Sequence, residues 1–197
     1  MTTERLEITA PIFDGQFIVS NAEKYVFMTW TREHIAQGFV WSRDNVALAI
    51  PSHMAGDFRI GVNTTATERV VRPDAFRAIV VPFHAGPRGV ALRNFDYNLV
   101  TLDLPEGSYE LLWQLSLPET REPSTVALRL DFSFVRTDTP RFGILRRDRE
   151  ISASHVLTTE GHNVAVSLLE RINTLPLEAL RPEELREIKE LKKNLMF

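Results

Sequence analysis

The chain reads as a mainly β protein, an antiparallel β-sandwich with one short inserted helix and a C-terminal helical extension, and three stretches carry that reading. In residues 125–135, Val126, Leu128, Leu130, Phe132 and Phe134 face one way, while Arg129 and Asp131 face the other. In residues 99–117, Leu102 and Leu104 precede a Pro105-Glu106-Gly107 break, after which Tyr109, Leu111, Trp113, Leu115 and Leu117 alternate. In residues 46–62, Val46, Leu48 and Ile50 alternate up to Pro51, and Phe58, Ile60 and Val62 resume the pattern. A period of two marks strands with one buried face, and the glycine-containing break predicts that the strands on either side of it pair as a hairpin. Alternation, rather than continuous apolar runs, favours antiparallel pairing with one wet face. Strands at even spacing with turn residues between them build a sandwich or a barrel.

The other elements follow in chain order. Residues 6–9 and 16–20 predict short strands separated by Pro11 and the Asp14-Gly15 turn pair. Residues 25–30 are a third apolar stretch. Thr31 is an N-cap residue ahead of residues 32–37, and Gly38 ends that helix. At barely two turns, the helix depends on tertiary packing. Residues 39–41 lead into a turn at 42–45. Residues 76–83 are strand-like, followed by a turn at 85–89 and a strand at 90–93.

Texture changes after Pro140. Residues 146–150 form a charged connector, residues 163–173 are a short apolar helix candidate, and Leu185, Ile188, Leu191 and Leu195 recur at helical spacing behind Pro182. The expected organisation is therefore a sandwich domain over 1–140 and a charged connector with C-terminal helices over 141–197. At 197 residues the chain can bury a sizeable core without covalent staples, and it has no cysteine. Cysteine nucleophiles, thiolate metal sites and disulfides are thereby excluded.

The net charge is −3, divided as −4 over residues 1–140 and +1 over 141–197. That balance argues against direct nucleic-acid binding through phosphate neutralisation. The N-terminal residues lack a basic stretch followed by an apolar run, and no apolar run approaches the ~20 residues of a membrane helix. The expected location is the cytoplasm, with no membrane association.

No catalytic constellation emerges, so no catalytic residue is assigned and the chain is read as a non-enzyme. The five histidines, His34, His53, His84, His155 and His162, have no zinc-type spacing, no Gly-x-Ser-x-Gly elbow marks a nucleophile, and no glycine-rich loop resembles a phosphate cradle. No metal or cofactor is implied. Asp44, Asp57, Asp103 and Glu106 fall in turns or at strand ends, where a protein meeting a basic partner would present carboxylates; aspartate is equally a turn-forming residue. Trp30 and Trp41 bracket the short helix, and aromatic side chains are common anchors at interfaces. The candidate partner-binding residues are Trp30, Glu33, Trp41, Asp44, Asp57 and Glu106.

One ordered set of residues points to a family. Trp30-Thr31, Gly38 and Asp44, then Val80-Val81-Pro82-Phe83, then Gly89-Val90, then residues 102–111, Leu-Asp-Leu-Pro-Glu-Gly-Ser-Tyr-Glu-Leu, resemble the competence protein J family over roughly residues 14–118. The resemblance implies a small all-β bacterial protein that binds and silences a nuclease, either one of DNA uptake or a toxin nuclease to which it confers immunity. Two departures stand out: Thr29 replaces the acidic residue expected before the tryptophan, and about 57 residues follow where compact members end.

The expected function is thus a stoichiometric, non-enzymatic inhibitor of a basic nuclease. Two other readings stay open. One is a small-ligand or glycan-binding sandwich with Trp30 and Trp41 as a stacking face. The other is an assembly protein that forms homo-oligomers through its C-terminal helices.

Overall fold

The computed structural model describes residues 5–12, 15–23, 28–51, 54, 56–94, 97–119 and 125–161. The helix candidates at 163–173 and 182–195 lie outside them. Among the described residues, eleven strands form two sheets. They are β1 (Arg5–Ile12), β2 (Gln16–Asn21), β3 (Phe39–Ser42), β4 (Asn45–Ala49), β5 (Gly56–Ala66), β6 (Arg77–Ala85), β7 (Val90–Asn94), β8 (Tyr97–Leu102), β9 (Gly107–Ser116), β10 (Val126–Arg136) and β11 (Gly143–Arg146). The six-stranded sheet runs β1-β5-β10-β9-β6-β11 and the five-stranded sheet runs β3-β4-β2-β7-β8. Among the described residues one helix, α1 (Arg32–Gln37), interrupts them.

The alternating residues meet between the sheets. Phe58, Ile60, Val62, Ile79, Val81, Leu111, Trp113, Leu115, Leu128, Leu130, Phe132 and Phe134 come from the larger sheet and face Phe17, Val19, Phe39, Val46, Leu48, Val90 and Leu92 of the smaller one. Phe17 and Phe132 meet across the gap at 5.2 Å between ring centroids, with their planes tilted by 30°. Burying side chains of this size stabilises the fold by roughly 1.5–3 kcal/mol each before entropy is counted, and the pattern read as strands is the pattern that fills this core.

Three expectations need correction. The stretch 99–117 is not a hairpin: β8 pairs with β7 in one sheet, whereas β9 pairs with β6 and β10 in the other. The break at 103–106 carries the chain from one sheet to the other. Leu102 and Leu104 are both buried, and the Tyr109 hydroxyl donates to the Pro105 carbonyl at 2.7 Å, fixing the corner. Gly89 is needed beside it, because a Cβ there would lie 2.1 Å from the Leu102 carbonyl oxygen and its φ is +76°.

Second, pairing is not wholly antiparallel. β10 runs parallel to β5, with a register shift at each end. Third, the sandwich does not stop at residue 140. β11 pairs with β6 at the edge of the larger sheet, and the compact unit that contains the sandwich continues to Gly161.

The outer face of the larger sheet is also less wet than alternation suggests. The segment 67–76 lies over it: Gln114 accepts from the Arg72 amide at 2.8 Å and donates to the Val70 carbonyl at 3.2 Å. Beside it, Arg129 donates to Asp131 at 2.9 Å and to Glu7 at 3.1 Å. Glu7 and Asp131 both register against Gly61 of β5, so no side chain stands between their strands. Burial would lower the Arg129 pKa, but the Asp131 and Glu7 carboxylates outweigh it and the net shift is upward.

α1 is specified locally. Thr31 Oγ1 accepts from the His34 amide at 3.4 Å, and His34 Nδ1 accepts from the Thr31 amide at 3.1 Å, a reciprocal cap. Since Nδ1 accepts, the ring proton sits on Nε2, which donates to the Glu160 carbonyl at 3.1 Å. Gly38 closes the helix at φ +83°. Thr31→Ala is expected to cost about 1 kcal/mol, read as a lower urea midpoint at unchanged m-value.

Candidate functional site

The registers sort the six candidate residues onto two ends of the sandwich. Gln16 pairs with Ala49, and Arg77 donates to the Ala49 carbonyl, so the starts of β2 and β6 share an end with α1. At the other end the His84 amide donates to the Arg43 carbonyl at 2.8 Å, and Ala85 pairs with Gly107. The β3–β4 turn, the β6–β7 turn and the β8–β9 corner therefore gather there. Nine residues of β6 separate the two ends, on the order of 26–30 Å.

Trp30 and Glu33 belong to the α1 end. Trp30 is half-buried, and its indole N–H donates to Gln16 Oε1 at 3.0 Å. Glu33 is fully exposed in the first turn of α1, where its own backbone amide, followed by the Thr31 hydroxyl, holds its carboxyl below the usual carboxylate range. Ile35, on the same short helix, is 59% exposed.

Asp57 lies at this end too, in β5, three strand positions from β6. Asp44 and Glu106 lie at the far end, Asp44 half-buried and Glu106 exposed, with exposed Asp103 beside Glu106 in the corner. Trp41 belongs to neither end. It points inward from β3, donates to the Pro82 carbonyl of the other sheet and meets Phe142 edge-on at 4.9 Å. The structure thus brings Trp30 and Glu33 onto one end and Asp44 and Glu106 onto the other, without joining the pairs into one patch.

Both tryptophans are half-buried; Trp41 packs inward against Phe142, whereas Trp30 sits at the α1 end, so the structure does not set the two rings together as one outward stacking face. A cleft of about 390 Å³, lined in part by Thr64, Thr65, Asp103, Tyr109, Phe134 and Arg136, contains neither tryptophan. Among the described residues no three His, Asp or Glu side chains gather where they could hold a metal ion.

Several important residues carried no motif in the sequence. Arg77 opens β6 with its side chain wholly buried, 5.9 Å above the Trp113 ring. Its guanidinium donates to Asp148 at 2.9 Å and lies 3.5 Å from Glu150. Gln37 is likewise buried, donating to the Phe39 and Thr158 carbonyls at 3.0 and 2.9 Å and accepting from the Leu157 and Thr158 amides. A lone arginine heading the apolar run 77–81 was the one local hint.

Residues 7–135 match the family model for competence protein J. The chain belongs to that family. Among solved structures, it is similar to ComJ from Bacillus subtilis, described as an inhibitor of the DNA-degrading activity of NucA, with a TM-score of 0.56 at 18% identity. The match covers 70% of this chain and 100% of that one. A crocagin biosynthetic protein J also matches, with a TM-score of 0.44 at 16% identity, over 68% of this chain and 98% of that one. No curated protein matches in sequence. The matched span ends inside β10, so β11 and everything after it lie outside the family match.

Proposed function

We propose that this protein is a non-enzymatic inhibitor that binds a DNA-degrading nuclease stoichiometrically and blocks its access to DNA. Membership of the competence protein J family carries the reading, and the inhibitor of the NucA nuclease, matched along its whole length, supports it. The client is a nuclease with a basic DNA-binding groove, belonging either to bacterial DNA uptake or to a toxin, and the complex forms in the cytoplasm. A groove that binds phosphates presents cations, so carboxylates on a rigid sandwich raise the encounter rate and aid selection.

Of the candidate positions, the outward side of α1 suits the contact best. Glu33 and Ile35 are both exposed and project from different flanks of the short helix, so the element offers a carboxylate and apolar area, as interfaces commonly do. Asp44, Asp103 and Glu106 at the far end form a separate, polar candidate.

The test is DNA cleavage by a cognate nuclease sought in the neighbouring reading frames, titrated with purified protein. Activity is expected to fall linearly to a one-to-one or other fixed molar ratio, and Glu33→Lys to raise the inhibitor concentration required by about tenfold. Cleavage that continues at excess protein would refute the inhibitor reading. An unchanged Glu33→Lys variant would move the contact to the far end.

A further inference from the structure

We propose that residues 143–161, which the family match does not reach, act as a clamp that holds α1 in its binding orientation; this rests on the inhibitor reading and on α1 as the contact element. α1 has six residues, too few to persist without outside support. Its inward side is met by that later segment at several points. The Ala153 amide donates to the Ala36 carbonyl at 3.0 Å, Gln37 exchanges three hydrogen bonds with Leu157 and Thr158, and His34 Nε2 donates to the Glu160 carbonyl. Ile151 fills the space above Gly38, where a Cβ would approach its Cδ1 to 2.4 Å.

The clamp is itself anchored in the sandwich at two points. β11 pairs with β6, closing an edge that the matched residues alone would leave open. Arg77, at the start of β6, binds Asp148 and Glu150, while Asp148 Oδ1 accepts from the Glu150 and Ile151 amides at 3.0 and 3.3 Å. That carboxylate therefore shapes the turn that sends the chain towards α1. The anchor and the helix form one continuous polar and apolar path, and none of the carboxylates or backbone groups on its far side lies within the matched residues 7–135.

Hydrogen exchange followed by mass spectrometry on the full-length protein tests this, with nuclease inhibition measured in parallel. Gln37→Ala is expected to speed exchange in α1 and at residues 157–158 by at least tenfold, leave β9 and β10 protected, and weaken inhibition about tenfold. Asp148→Asn is expected to loosen the same segments. Were that variant to lose protection in β9 and β10 as well, Gln37→Ala would still decide the matter.

Unchanged exchange in α1 for Gln37→Ala would overturn the clamp. Faster exchange with undiminished inhibition would overturn its role in presenting α1. A wild-type protein that inhibits nothing would instead refute the inhibitor reading, while the exchange data would still judge the clamp.

Discussion

Trp113→Ala is expected to destabilise the protein by about 3–5 kcal/mol, whereas Trp113→Phe stays within about 1.5 kcal/mol of wild type. Trp113 sits in β9, fully buried between β6 and β10, where it registers against Ile79 and Phe132. Truncation to alanine removes the largest fully buried side chain among the described residues and opens a cavity that flanking strands cannot close without breaking register. Phenylalanine keeps most of the aromatic volume. It also removes the indole N–H, which is buried with no hydrogen-bond partner and so adds a penalty to the native state. Urea unfolding of the three proteins, compared at constant m-value, measures both differences. If phenylalanine proves as costly as alanine, the indole N–H is not the liability inferred here.

Asp148→Ala is expected to cost about 3 kcal/mol, and more than Arg77→Met. Breaking one side of a buried ion pair leaves the remaining charge without compensation, at about 3–5 kcal/mol, whereas replacing that charge by an apolar group of similar length removes the desolvation cost as well. Arg77 is wholly buried, but Asp148 and Glu150 retain 15% and 29% side-chain exposure. A carboxylate stranded by Arg77→Met can therefore turn to water, while an arginine stranded by Asp148→Ala cannot. Glu150 stays near the guanidinium and sets the estimate at the lower end of the range. Thermal unfolding of both variants gives the order, and equal losses would contradict the asymmetry.

Both variants concern contacts that local pattern does not reveal. Alternation at Tyr109, Leu111, Trp113 and Leu115 correctly marks the buried face of β9, because each side chain's direction follows from the pleat of its own strand. It carries no information about which strand lies alongside. For that reason the glycine break at 105–107 read as a hairpin although it is a corner between sheets. Arg129 and Asp131 read as solvent-facing on the same grounds, yet the segment 67–76 and Glu7 of β1 enclose them. The short helix was legible at both ends, since Thr31 and Gly38 act within four residues of what they cap. Its inner contacts to 151–161 were not legible, because more than a hundred residues intervene.

The candidate surface divides in the same way. Glu33, Asp44, Asp103 and Glu106 could be placed in turns or at the helix start from residue type alone. That they occupy opposite ends of the sandwich follows only from strand order and register.

From its residues alone, then, this protein is a two-layer β fold of the competence protein J type with a capped helix inside it: side-chain periodicity and capping act over a few positions, and the ordered motifs of the family need no coordinates. Strand partners, the parallel pair β5 and β10, the incorporation of β11 and the burial of Arg77 were settled only by assembly. Each of those depends on which distant segments together exclude water, a property of the packed chain rather than of any one stretch of it.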